Sequence, residues 1–378
     1  MNQRRKLLAV LAAAALAAPA AALAQGAPAG AIVIGQSAPL SGSNKDLGTD
    51  IRNGALAYFK RVNDAGGVNG RKIELVSLDD ANDTKRSEAN TKQLLEQNNP
   101  IALYGYGSAT LSRPALPHVE AAKIPFVAPF TGADPMRKFN RYVYNHRASY
   151  ADELEKIVEH YTTFGVKRIA VLHYADAVGN ENFNAVDRAL KARNLAPVAV
   201  ASVTRTQTDF AKELAAVGQA NPDVVILTTL YKTSADFIKG MKRAGIGTQF
   251  VSTSFAGSTA LANALGADGL GVAMSQVVPS YLRRSVPVVK EYQAAMEAAF
   301  GKKEFSYTSL ESYIAAKVLV EGLRRAGAQP TRERLLAALD SVSNYEVGGY
   351  LVSFSPSNHN GSSFVSLSIL GRDLAFRE

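Results

Sequence analysis

The apolar positions of this chain follow two alternating rhythms. Short runs rich in Ile, Val, Leu and Ala mark strands, and apolar residues three and four apart mark helices with one buried face. Ala31-Ile32-Val33-Ile34-Gly35 is the first strand. Residues 48–63 follow as a helix, with Ile51, Ala55, Tyr58, Phe59 and Val62 on one face. Residues 63–70 are rich in turn formers, and 73–78 is the next strand. A polar helix over about 83–97, a strand at 101–104, a helix over 111–122 and a strand at 125–128 complete the series. Regular alternation of strand and helix predicts a parallel sheet with helices on both faces.

The rhythm then restarts. Residues 149–164 read as a helix, with a capping box at Ser149 and Asp152. Strands at 168–173, 197–200, 223–227, 249–252 and 271–276 alternate with helices over 180–193, 209–219 and 234–244. This predicts a second α/β lobe. Two long helices follow, 286–300 and 307–326. Pro287 is tolerated in the first turn of one, and Gly327 is placed to end the other. A short helix at 332–339 and strand-like runs at 349–354 and 363–370 close the chain. Helices and strands after the second lobe imply a return to the first, so that several crossings join two lobes around a hinged cleft.

Composition changes the reading of the N-terminus. Residues 1–24 have the form of a secretory signal peptide: Arg4, Arg5 and Lys6, an apolar run from Leu7 to Ala18, then Ala22-Leu23-Ala24 as a cleavage pattern. The run is shorter than the roughly 20 residues that span a bilayer. Removing 24 of 378 residues leaves 354, and the net charge falls from +9 to +6 with the loss of those three cations. The remaining cations are interspersed with acids, without the clustered stripe a nucleic-acid surface needs. The chain has no cysteine, which excludes disulfides, thiolate metal sites and thiol catalysis. His118, His146, His160, His173 and His359 are scattered, without metal-ligand spacing. No enzyme motif is present, and no cofactor or metal is expected.

The order of motifs in the first lobe carries a resemblance. Ile32-Val33-Ile34-Gly35 is followed by Ala38-Pro39-Leu40-Ser41-Gly42, Gly48, then Asn63-Asp64-Ala65-Gly66-Gly67-Val68-Asn69-Gly70. Asp79-Asp80, Tyr104-Gly105-Tyr106-Gly107-Ser108-Ala109-Thr110 and Ile124-Pro125-Phe126-Val127-Ala128-Pro129 complete the pattern. The chain closely resembles the leucine/isoleucine/valine-binding-protein family of periplasmic ABC-transporter receptors. The resemblance covers essentially everything after the leader, and is looser in the second lobe. It implies an α/β Venus-flytrap, the type I periplasmic binding protein fold, with a mainly parallel helix-flanked sheet in each lobe and three hinge crossings. Lobe I is expected over 25–145 and 280–342, lobe II over 146–279 and 343–378. The resemblance further implies a periplasmic monomer that captures a small carboxylate and delivers it to permease subunits in the inner membrane. A periplasmic ligand sensor with a separate signalling partner is the alternative.

Candidate ligand residues follow from strand-end position and from the resemblance together. Ligands of open α/β sheets bind beyond the carboxyl ends of strands, where helix N-termini suit an anion. Gly107, Ser108, Ala109 and Thr110 occupy such a turn. Read from spacing alone it is an ordinary βα turn; the resemblance implies a carboxylate cradle. Thr131 and Gly132 match the family's next ligand turn, within Pro129-Phe130-Thr131-Gly132-Ala133-Asp134, which departs from the amino-acid binders' pattern. Leu47 reads either as a core leucine or as a cover over the ligand. Tyr150 and Tyr231 read either as half-buried surface tyrosines or as aromatic covers from the second lobe. Phe255 lies in Ser254-Phe255-Ala256-Gly257-Ser258, where amino-acid binders of the family place an acid for the ligand ammonium. No acid stands there, and a buried ammonium without a partner is costly. A hydrophobic or aromatic carboxylate therefore rivals a branched-chain amino acid.

Overall fold

The computed structural model describes residues 30–42 and 44–378, so the leader expected over 1–24 lies outside the described residues. The first series is β1 (Ile32–Ala38), α1 (Lys45–Asp64), β2 (Ile73–Asp79), α2 (Thr84–Gln93), β3 (Ala102–Tyr104), α3 (Ala109–Ser112), α4 (Leu116–Ala122), β4 (Phe126–Val127) and β5 (Val143–Tyr144). Its strands form a parallel sheet in the order β2-β1-β3-β4-β5.

The second series is α5 (Tyr150–Thr163), β6 (Ile169–Tyr174), α6 (Ala177–Lys191), β7 (Ala199–Val203), α7 (Ala211–Gln219), β8 (Val224–Leu227), α8 (Tyr231–Arg243), β9 (Gln249–Ser252), α9 (Ser258–Leu265) and β10 (Ala273–Gln276). Then come α10 (Pro287–Phe300), α11 (Tyr307–Arg325), α12 (Arg332–Asp340), β11 (Tyr345–Glu346), β12 (Leu351–Val352), β13 (Ser366–Leu370) and β14 (Phe376–Arg377). The second sheet runs β14-β13-β10-β9-β8-β6-β7. It is parallel from β10 to β7, and β13 and β14 extend it in antiparallel fashion. All six residues of β6 are buried, as expected for a central strand covered on both faces.

The long helices return to the first lobe. α1 and α11 pack so closely that a Cβ on Gly54 would lie 2.1 Å from the Ser309 carbonyl oxygen. Tyr104 of β3 donates its hydroxyl hydrogen to the Ser312 carbonyl at 2.6 Å, and Tyr58 meets Tyr313 edge to face. Burying each such ring is worth about 2 kcal/mol. α11 is buried on nearly every side, so Leu310, Ile314 and Val318 on one stripe and Tyr313, Ala316, Val320 and Leu323 on another all meet protein.

The chain passes between the sheets three times, at 145–149, 277–286 and 361–366. The last crossing comes later than the boundary at 343 expected from the sequence. Asn145 pairs with Asn360, the Asn145 amide donates to the His359 carbonyl at 2.8 Å, and the Gly361 amide donates to the Asn145 carbonyl at 2.7 Å. The segment holding β11 and β12 thus stays with the edge of the first sheet. The expected capping box forms: the Ser149 hydroxyl accepts from the Asp152 amide at 3.0 Å, and the Asp152 carboxylate accepts from the Ser149 amide at 2.8 Å.

Candidate functional site

The loops beyond β1, β2 and β3 are locked together. Asp79 closes β2 and accepts the amides of Leu40, Ser41 and Ala81 at 2.9, 3.1 and 2.8 Å, and the Ser41 hydroxyl at 2.6 Å. Burial works to raise its pKa, but the bonds from Ser41, Ala81 and Leu40 outweigh it and hold the carboxyl below the usual range. Asp80 is wholly buried and accepts from Ser37 and the Asn82 amide, both at 2.9 Å. Burial pushes its pKa up. These adjacent carboxylates build the loop. The loop in turn presses on the next one: a Cβ on Gly107 would lie 2.9 Å from Pro39 Cδ, and one on Gly48 only 2.1 Å from the Pro39 carbonyl oxygen. Leu47, half-buried in the first turn of α1, is beside this contact.

Gly105 takes a left-handed conformation, φ +64°, to turn the chain out of β3. Ser108 then caps α3, its hydroxyl accepting from the Leu111 amide at 3.2 Å. Gly107 and Ala109 are buried; Thr110 is exposed. First-turn amides have no partner within the helix.

Beyond β4, Thr131 accepts from the Ala133 amide at 3.1 Å and donates to the Tyr150 hydroxyl at 3.4 Å. Gly132 accepts from the Tyr150 amide at 2.9 Å. Tyr150 is the first residue of α5 and is buried. Its ring meets Phe255 edge to face at 5.4 Å, and the Arg147 guanidinium lies 5.6 Å from its centre. Burial raises the Tyr150 hydroxyl pKa, with Arg147 pulling against it. One apolar cluster holds Tyr106, Ala109, Ala133 and Tyr150, with Phe255 packed against it. The fold therefore gathers the Ser108 turn, Thr131, Gly132, Tyr150 and Phe255. Tyr231 begins α8 on a separate loop and packs against another core cluster, one that Phe255 also touches. The neighbouring Leu230 amide donates to the Tyr174 hydroxyl at 3.1 Å.

What stands behind this group was not legible from the order of residues. Arg147 lies in the first crossing, 4 % exposed. It reaches Glu153 of α5 at 2.8 Å, Glu311 of α11 at 3.2 Å and the Ser254 hydroxyl at 2.5 Å. The other Glu153 oxygen accepts from the Ser254 amide at 2.8 Å and the Ser275 hydroxyl at 2.6 Å. Burial raises the Glu153 pKa against the pull of Arg147 and these serines. Burial acts on Glu311 too, but Arg147 and His146 hold it below the carboxylate range. The partners lie 6, 107 and 164 residues from Arg147, so only the topology brings them together. Next to it, buried His146 has its pKa lowered by burial and its ring 5.9 Å from Phe130.

Among the described residues there is no cluster of three or more His, Cys, Asp or Glu able to hold a metal, and no helix is long and apolar enough to cross a membrane. A groove of about 970 Å³ lies at the opposite edge of the first sheet, lined by Ala31, Ile101, Lys123 and Arg332 among others. Two of its arginines are engaged with backbone: Arg71 donates to the Gly30 and Ala31 carbonyls, and Arg332 to the Pro100 and Ala122 carbonyls. It is set at strand starts, so strand-end geometry and not volume marks the candidate site.

Comparison with known proteins bears on the same arrangement. The family model described as periplasmic binding protein matches residues 31–367. An amino acid binding protein of Pseudomonas aeruginosa is 26 % identical over 291 residues, covering 75 % of this chain and 78 % of that one. The crystal structure of a substrate-binding periplasmic protein from Ralstonia solanacearum matches with a TM-score of 0.83 at 32 % identity, covering 90 % of this chain and 98 % of that one. A solute binding protein of an ABC transporter from Rhodopseudomonas palustris, in complex with 3,4-dihydroxybenzoic acid, shares the fold: its TM-score is 0.79 at 21 % identity, covering 90 % of this chain and 93 % of that one.

Proposed function

The chain belongs to the periplasmic binding protein family, and on that premise we propose that it captures a small carboxylate between its lobes and delivers it to an ABC permease in the inner membrane. Members of the family are solute-binding proteins and not enzymes, and membership carries a periplasmic location. The observation behind our reading is the junction at Tyr150. This residue takes Gly132 and Thr131 from the first lobe and Phe255 from the second. A ligand held there touches loops of both lobes beside the crossing about which they turn.

The first-turn amides of Ala109 and Thr110, with the Thr110 hydroxyl, are offered to the carboxylate. Tyr150, Phe255 and Leu47 are offered to an apolar body, with Tyr231 closing from the second lobe. Relatives of this fold include an amino acid binder and one holding an aromatic acid, so the local chemistry must choose. The acid behind the Ser254 loop, Glu153, is saturated by Arg147, Ser254 and Ser275. It has no oxygen left for a ligand ammonium. This makes a hydrophobic or aromatic carboxylate a full rival to a branched-chain amino acid.

Isothermal titration calorimetry of the protein without residues 1–24 tests the reading, using leucine, 4-methylpentanoate, benzoate and 4-hydroxybenzoate. Binding of at least one with a matching rise in melting temperature is expected; no response to any of them refutes it. Deletion in the source organism should abolish uptake of the ligand. Loss of gene induction with uptake intact would instead favour the sensor.

A further inference from the structure

The hydrogen bonds around Arg147 are lopsided. On the second lobe's side they are dense. Glu153 Oε1 accepts from Arg147 and from the Ser254 hydroxyl, both at 2.8 Å, and Oε2 accepts from the Ser254 amide at 2.8 Å and the Ser275 hydroxyl at 2.6 Å. Ser254 also meets the guanidinium directly at 2.5 Å. On the first lobe's side they are sparse. Among the described residues Glu311 accepts one hydrogen bond, from Arg147 Nη1 at 3.2 Å. His146 Nε2 stands 3.5 Å from the same oxygen, and neither ring nitrogen of His146 has a hydrogen-bond partner.

The two sides belong to different lobes. Ser254 follows β9 and Ser275 lies in β10, both of the second sheet. Glu311 stands on α11, where its neighbour Ser312 bonds to Tyr104 of β3 and to the Ile51 carbonyl of α1. Well-formed N–H···O bonds reach to about 3.2 Å, so the contact with Glu311 has the least margin. Rotation of one lobe against the other parts it before the bonds to Glu153. The aromatic pair of the candidate site travels with the dense side: Phe255 follows Ser254, and the Tyr150 ring lies 5.6 Å from the guanidinium and 5.4 Å from Phe255. A ligand that holds this pair against the first-lobe turns also holds Arg147 against Glu311. Burial works to raise the Glu311 pKa, but Arg147 and His146 keep it below the carboxylate range. Ionised Glu311 is thus favoured in this arrangement over water.

We propose that Glu311 is a positioning residue for ligand capture: its ion pair with Arg147 forms across the lobes as they close, breaks as they open, and so slows release of the ligand. This rests on the reading of a ligand held between the lobes, and assigns part of its retention to a pair that does not touch it. An interaction made in only one of two states shifts the balance toward that state.

The test measures binding and release rates by surface plasmon resonance, on the protein without residues 1–24, with leucine, 4-methylpentanoate, benzoate and 4-hydroxybenzoate. Glu311→Leu leaves a buried guanidinium N–H without an acceptor. Release should become about tenfold faster, with association held within about twofold because the pair forms after encounter. Glu311→Gln keeps an acceptor without the charge and should fall between; it carries the test if Glu311→Leu does not fold. Ser275→Ala removes a bond from the side that does not part. It should lower the melting temperature and leave release within about twofold of the wild type. Wild-type release rates in the Glu311 variants overturn the proposal. So does a Ser275→Ala variant that releases as fast as Glu311→Leu, since the whole cluster would then act through stability alone. Either result leaves the carboxylate reading intact. A wild type that binds none of the four overturns both.

Discussion

Gly132 and Tyr150 meet backbone to backbone. The Tyr150 amide donates to the Gly132 carbonyl at 2.9 Å, and a methyl group on Gly132 would lie 2.6 Å from that same nitrogen. The contact ties the loop after β4 to the first turn of α5, so it joins one lobe to the crossing that leads into the other. Gly132→Ala must push Tyr150 away from Thr131 and Phe255. Overpacking of this kind costs about 1–3 kcal/mol, and ligand affinity should fall by roughly tenfold, since each 1.4 kcal/mol is a factor of ten. Calorimetry and thermal melting read the two effects; a variant with unchanged affinity would remove Tyr150 from the site.

Arg147→Met should be the most damaging change at the crossing. It leaves Glu153 and Glu311 buried without their shared cation, a loss of about 3–5 kcal/mol in urea unfolding. Arg147→Lys keeps the charge but cannot reach both carboxylates and Ser254 in a fork. An intermediate loss is expected for it.

Asp50 gives a pH signature. Its carboxyl packs at the start of α11, where the Ser306 hydroxyl donates to it at 2.6 Å. Burial raises its pKa from 3.8 to about 6; Ser306 opposes this, and Asp46 and Glu304 add to it. The folded state thus holds this proton more tightly than the unfolded one. The contribution is fully present below the unfolded value and lost as pH rises through about 6. A shift of this size corresponds to roughly 3 kcal/mol. Unfolding followed between pH 4 and 7.5 should show this decline in the wild type, and Asp50→Asn should flatten it. Parallel curves would show that the carboxyl is solvated.

Ser108→Ala removes the cap on α3. The loss is about 1 kcal/mol of stability, together with a several-fold weakening of any carboxylate that sits on the same turn. Benzoate and leucine should suffer alike, because both present a carboxylate. A loss confined to stability would move the cradle elsewhere.

The alternation of runs such as Ile169–Tyr174 with amphipathic helices made both sheets legible, because burial on two faces or on one leaves a direct mark on composition. Elements held by their neighbours left little mark. β5 is two residues long and exists by pairing with β4. α9, Ser-Thr-Ala-Leu-Ala-Asn-Ala-Leu, begins after Gly257 at φ +84° and lacks a strong polar face. The edge that keeps 345–361 with the first lobe depends on Asn145 and Asn360, 215 residues apart. Strand-end position singled out Ser108, Thr131 and Phe255, but Arg147, Glu153 and Glu311 stayed hidden. An arginine or a glutamate looks the same in sequence whether water or another lobe faces it.

Tyr104 reaches Ser312 across 208 positions, and Ser312 in turn reaches the Ile51 carbonyl across 261. The first sheet is therefore an open surface until the last third of the chain arrives to cover it. Chain-closure entropy must be overcome before those contacts form, and no contiguous N-terminal piece can supply them. During synthesis the leading half has nothing to close its core with, so the first lobe finishes folding only after the far end has been made.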